Sequence, residues 1–176
     1  WTYSYFVDIP AFADITPTEE TVECYADFNP ELFELPTVYD YCGKIITNIQ
    51  GPEQETQLKS AVVDICAADV VYTWIYTDCA GNAKNYVHTV HIVKTDFVKN
   101  MPVDDGTVVE CAGDIAGLVP IPPTVYDNCG TEIIPSAPEI SDTPECEGEV
   151  TYKWTYTDCT TKFSHVWTYT FTIDRI

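Results

Sequence analysis

Val71-Tyr-Thr-Trp-Ile-Tyr-Thr-Asp-Cys79 recurs as Thr151-Tyr-Lys-Trp-Thr-Tyr-Thr-Asp-Cys159, identical at six of nine positions. In both copies the rings fall on alternate residues: Tyr72, Trp74 and Tyr76 in the first, Tyr152, Trp154 and Tyr156 in the second. A period of two puts all three rings on one face, which is the pattern of a half-buried antiparallel strand. Threonine and other strand formers occupy most of the intervening positions. Trp167, Tyr169, Phe171 and Ile173 carry the same alternation to the end of the chain.

Working outward, the rest of the chain repeats as well. Pro36-Thr-Val-Tyr-Asp-Tyr-Cys-Gly43 returns as Pro123-Thr-Val-Tyr-Asp-Asn-Cys-Gly130, identical at seven of eight, and Thr21-Val-Glu-Cys24 returns as Val108-Val-Glu-Cys111. The cysteines keep order: Cys24, Cys42, Cys66 and Cys79 are spaced by 18, 24 and 13, and Cys111, Cys129, Cys146 and Cys159 by 18, 17 and 13. Internal similarity at a fixed period marks a repeat array. The longer middle step comes from an insertion near Gln50-Gly-Pro-Glu-Gln-Glu-Thr-Gln57, a polar stretch expected to form a surface loop. Twelve prolines argue against long helices. Short strands separated by turn formers in units of 80–90 residues predict an all-β fold of tandem immunoglobulin-like antiparallel β-sandwiches. Trp1-Thr-Tyr-Ser-Tyr-Phe-Val-Asp8 matches Trp167-Thr-Tyr-Thr-Phe-Thr-Ile-Asp174, the closing segment of the last unit. The expected division is therefore 1–9, the last strand of a preceding repeat, then repeats at 10–94 and 95–176. Strand 1–9 has backbone groups to satisfy, and it can do so by pairing with another copy of the chain.

Eight cysteines, with none left over, predict two disulfides per repeat and an oxidising compartment. The residues between the third and fourth cysteines read mostly as strand and span roughly 40 Å at ~3.3 Å each, too far for a bridge that needs Cα atoms within about 7 Å. Two connectivities survive. One joins first to third and second to fourth: Cys24–Cys66, Cys42–Cys79, Cys111–Cys146 and Cys129–Cys159. The other joins first to fourth and second to third. Placing the second and fourth cysteines in neighbouring loops at one pole of the sandwich favours the former.

Charge narrows the partners. There are 28 acidic residues against 8 basic, a net −20. Such a surface repels phosphate backbones and anionic membranes, so no nucleic-acid partner is expected. No stretch approaches the ~18–20 apolar residues of a membrane span, and no leader-like apolar segment opens the chain. Spacings of 13 to 24 suit neither zinc knuckles nor C-x-x-C redox chemistry. His88 and His91 are three apart on a strand and face opposite sides; with His165 they read as surface or part-buried strand histidines. Serines lie in no nucleophile motif, and phosphate-binding glycine loops are absent. Nothing here asks for catalysis or a cofactor. Asp40, Asp78, Asp127 and Asp158 each precede a loop cysteine by one or two residues. If two loops meet, these carboxylates could hold Ca²⁺; the plainer expectation is that each caps its own turn.

The combination of P-T-V-Y-D-x-C-G and Y-x-W-x-Y-T-D-C with the Trp-Thr-Tyr-Thr-Phe-Thr-Ile ending resembles the four-cysteine HYR-like repeats of long Bacteroidota surface proteins, including gliding-motility adhesins. Thr160-Thr-Lys162 departs from that pattern, in which Ala80-Gly-Asn82 is the usual loop, and so does the insertion after Cys42. The resemblance implies secretion to the cell surface through a type IX system, attachment at the outer membrane, and a stalk or adhesive role without an active site. Three functions are compatible. In a structural spacer, neighbouring repeats are the partners and Phe12 and Phe97, in the short linkers, dock at junctions. In a binding module, Tyr25, Phe28, Phe33 or Tyr41 grip a glycan. In a self-assembling filament, strand 1–9 joins copies.

Overall fold

The computed structural model describes residues 1–5, 7–58, 67–159 and 162–174. The chain forms two compact units, Trp1–Val93 and Lys94–Ile176. In the first, a four-stranded sheet has the order β1 (Thr18–Val22), β4 (Ala83–Val93), β3 (Ala67–Thr77), β2 (Asn48–Leu58). In the second, the order is β5 (Asp105–Val109), β10 (Phe163–Ile173), β9 (Gly148–Asp158), β8 (Glu139–Ile140). A small ribbon of β6 (Val125–Tyr126) and β7 (Glu132–Ile133) faces the second sheet; its counterpart in the first unit is a single bridge, Tyr39 to Ile45. The fold is thus all-β in two tandem units. One detail of the expectation is corrected: the sheets are mixed, because β1 runs parallel to β4 and β5 parallel to β10. A first strand laid beside the last in the same direction needs the whole unit as its crossover.

Each core forms where the alternating rings predict it. Ala68, Val70, Tyr72, Trp74 and Tyr76 of β3 are all buried, as are Val150, Tyr152, Trp154 and Tyr156 of β9. Phe12 and Ile46 close the first core, and Phe97, Ile115, Val125 and Ile133 the second. The two repeated motifs are the two ends of one hydrogen bond. The Tyr76 hydroxyl donates to the Pro36 carbonyl at 2.9 Å, and the Tyr156 hydroxyl to the Pro123 carbonyl at 2.6 Å. Burial pushes both phenols above their ordinary pKa, which keeps them protonated donors.

The insertion is not a loop. Residues 48–58 form an eleven-residue edge strand paired along β3, with a register shift between Gln50 and Glu53. Gly51 makes this shift feasible: its φ is +115°, and a Cβ there would lie 2.7 Å from the Thr73 carbonyl oxygen. Polar composition misled the loop expectation, yet a largely exposed edge strand with a bulge has this composition. The shorter second unit manages the same edge differently. Ser136 and Ser141 each use backbone and side chain on β9: their N–H groups donate to the Thr155 and Thr151 carbonyls, and their Oγ atoms accept from the Thr155 and Thr151 N–H groups.

The hairpin after the fourth cysteine also differs. Thr77 pairs with Ala83 in the first unit, leaving five residues in the turn; Asp158 pairs with Phe163 in the second, leaving four. Trp74 therefore faces Tyr86, seven residues after Cys79, whereas Trp154 faces Trp167, eight residues after Cys159. A slip of one residue exchanges the faces of a strand. Tyr86, His88, Val90 and Ile92 point inward in the first unit; Trp167, Phe171 and Ile173 are buried in the second, and Val166 is exposed.

Candidate functional site: the aspartate and cysteine turns

The four aspartates singled out in the sequence stand at strand-to-turn junctions, and three build the same turn. Asp40 Oδ1 accepts from the N–H groups of Cys42 and Lys44 at 2.9 and 2.8 Å. Asp127 Oδ1 accepts from Cys129 and Thr131 at 2.9 and 2.7 Å, and Asp78 Oδ1 from Ala80 and Asn82 at 2.9 and 2.8 Å. In each, the fourth residue is a glycine at φ near +80°: Gly43 at +79°, Gly130 at +80° and Gly81 at +88°. That backbone conformation admits glycine and strains other residues. By sequence Thr161 stands where that glycine would be, three residues after Asp158, and the turn that follows Asp158 differs. Cys159 takes φ +54°, its N–H donates to Asp158 Oδ1, and Lys162 N–H closes back on the Cys159 carbonyl at 3.0 Å. This tighter turn produces the one-residue slip of β10.

The carboxylates do meet in pairs. Asp40 and Asp78 line one cavity of about 210 Å³ together with Lys44 and Cys79. In the second unit Lys94 bridges the pair, with its ammonium 2.7 Å from Asp127 Oδ2 and 3.6 Å from Asp158 Oδ1. Burial pushes the Asp127 carboxyl up, but the bonds from Lys94 and from the Thr131 and Cys129 N–H groups outweigh it, so the net shift is below the ordinary value. Asp78 is also lowered, chiefly by the Asn82 side-chain amide. Among the described residues, no group of three acidic, histidine or cysteine side chains is placed to hold a metal ion. In the second pair Lys94 takes Asp127 Oδ2, while Asp158 Oδ2 is buried without a hydrogen-bond partner. The turn-capping expectation describes these side chains.

Cys24, Cys129 and Cys159 are half-cystines. Cys42, Cys79, Cys111 and Cys146 carry exposed free thiols. The expected bridges Cys42–Cys79 and Cys111–Cys146 are therefore open in this structure, a departure from the sequence expectation. The Asp40 and Asp78 turns are closed by their own hydrogen bonds, and Cys111 N–H is held by Asp114 Oδ2 at 3.0 Å. The Cys24–Cys66 pairing involves Cys66, outside the described residues. Phe12 and Phe97 are 3% and 0% exposed and pack in the cores of their own units. Of the glycan candidates, Tyr25 and Tyr41 are exposed, while Phe28 and Phe33 pack against the first core. His88 is buried, its Nδ1 2.7 Å from Thr18 Oγ1, whereas His91 lies on the other face against Asp69. Sequence reading missed Lys94; nothing marks a linker lysine as the partner of aspartates 33 and 64 residues away.

Duplicated all-β units, each with four ordered cysteines and a shared aspartate turn, define a tandem array of small cystine modules. A family model, the HYR-like domain with 4 cysteines, matches residues 12–92 and again 99–173. The chain belongs to that family. Such domains are non-catalytic and typically extracellular and adhesion-related. No curated protein matches the chain.

Proposed function

We propose that this chain is a stalk or fibre segment of a long secreted bacterial surface adhesin, of the kind that Bacteroidota export through the type IX system and use in gliding and attachment. The observation that carries this reading is the shared frame of the two units: both keep the aspartate turn, the Tyr-to-Pro carbonyl bond and the cysteine order. Stability in such arrays resides in each unit and its neighbours. Oxidation during export would close the open pairs, because each has a counterpart in a half-cystine of the sister repeat: Cys42 and Cys79 correspond to Cys129 and Cys159, and Cys111 to Cys24. Antibody against the chain should label intact source cells; labelling only after permeabilisation would refute the surface assignment. Intact mass after secretion should show eight cysteine hydrogens lost, and free thiols at Cys42 and Cys79 would count against closure.

A second reading, a filament joined by strand exchange, has one observation behind it. Trp1, Tyr3, Tyr5 and Val7 are exposed, and residues 1–5 and 7–8 lie in no ladder, although their sequence matches the end of β10. Removing residues 1–8 should abolish any concentration-dependent assembly seen by sedimentation; assembly that survives the deletion excludes this reading.

A further inference from the structure

The two units differ over the outer half of the last strand. In the first, Phe33 covers it: its ring centroid lies 4.3 Å from His88, 5.6 Å from Trp74 and 6.3 Å from Tyr86, with Phe28 at 5.7 Å. Phe28 and Phe33 stand four and nine residues after Cys24; at the same distances after Cys111 stand Ile115 and Pro120. The ladders confirm that the places correspond. Thr18 and Glu20 face His88 and Val90 in the first unit, and Asp105 and Thr107 face Tyr169 and Phe171 in the second. Proline reaches too short a distance to do what Phe33 does. The second unit is left with an open groove of about 600 Å³, floored by Trp167, Tyr169 and Phe171. Its rim is formed by Leu118, Val119 and Ile121, which are 51%, 63% and 89% exposed. The Tyr152 hydroxyl fixes this rim through the Leu118 carbonyl at 3.3 Å.

We propose that this groove docks an aromatic side chain presented by a non-acidic segment of a partner protein. The sister unit shows the occupant: a phenylalanine directly after the turn at residues 30–32, laid over the same strand positions. Apolar chemistry favours a peptide ring over a sugar. The rim is aliphatic, Trp167 and Phe171 are each only 5% exposed, and the Trp167 indole N–H is already given to the Val103 carbonyl at 2.8 Å. The volume is of the size that ligand pockets have, and buried aromatic pairs add attraction beyond area. Asp104 and Asp105 beside the groove, on a chain of net −20, select against acidic flanks. The site does not depend on the stalk reading.

The probe is a capped peptide, acetyl-Lys-Leu-Phe-Lys-Leu-amide, titrated into the whole chain while the Trp167 indole resonance is followed by NMR. Saturable shifts are expected, with none from the peptide carrying Ala in place of Phe. Pro120→Phe should fill the groove from within and weaken binding at least about tenfold, or ~1.4 kcal/mol. Val119→Asp, on the exposed rim where folding is unaffected, should weaken it similarly. The proposal is overturned if the two peptides act alike, if Val119→Asp binds as the native chain does, or if cellobiose shifts the indole and the peptide does not. It is overturned equally if the chain dimerises through the groove and loses this on deletion of residues 1–5, which would make its own aromatic end the occupant.

Discussion

The turn after Cys79 and the turn after Cys159 begin from the same Tyr-Thr-Asp-Cys and end with their strands facing opposite ways. The first has a glycine where the aspartate turn needs φ near +80°; the second has a threonine there by sequence. Removing that glycine shortens the turn from five residues to four, and the last strand moves by one. The sequence after the turn has changed to match. Aromatic and aliphatic residues occupy odd steps after Cys79 (Tyr86, Val90, Ile92) and even steps after Cys159 (Trp167, Phe171, Ile173). One missing glycine thus goes with a repatterned strand and, on the far side, with the loss of the phenylalanine that would cover it. Sister repeats with the same cysteine order need not present the same surface.

The largest expected effect tests the slip itself. Trp167→Ala should destabilise the second unit by about 3–5 kcal/mol, while Val166→Ala changes it by no more than about 0.5 kcal/mol. In the first unit the cost should fall on the residue seven after the cysteine, with Tyr86→Ala severe and Val87→Ala mild. Chemical denaturation of the single variants would read all four. Next come the shared struts. Tyr76→Phe and Tyr156→Phe each leave a proline carbonyl unsatisfied and should cost about 1–3 kcal/mol in their own units; unequal costs would show that the units do not share this bond. The two edges should then separate. Ser136→Ala, at about 1 kcal/mol, should destabilise only the second unit, and Gly51→Ala only the first, by strain at positive φ and contact with Thr73.

A smaller effect depends on pH. Asp127 and Asp96 have folded pKa values below the ordinary 3.8, the latter chiefly through the hydrogen bond with His165. They add stability above the unfolded pKa and lose it as pH falls through the lowered folded value. The second unit should therefore melt progressively earlier below about pH 4, and Asp127→Asn should flatten part of that slope while keeping the turn. Least of all, millimolar calcium or a chelator should leave the melting of the second unit unmoved, because Lys94 occupies the pair; a calcium-dependent rise would show the ion displacing it.

Much of this was legible in the chain. Period-two rings fixed the core faces of β3, β9 and β10, and cysteine order fixed the number of repeats. Turn capping by Asp40, Asp78 and Asp127 was expected from an aspartate one or two residues before a loop cysteine. What was not legible depended on partners distant in sequence. Polar residues 48–58 pair along β3, and this depends on a neighbour that composition does not reveal. The parallel first strand required the whole unit to be folded. Phe12 and Phe97 read as linker residues because their separation from the strands they pack on is long. The groove needed the two units laid side by side, since Pro120 is unremarkable until Phe33 is seen in its place.

Cross-strand NMR contacts in the last hairpin of each unit test the account most directly. Trp154 should lie opposite Trp167, with Trp74 opposite Tyr86. Contacts placing Trp154 opposite Val166, the residue seven after its cysteine, would give both units one register and contradict it.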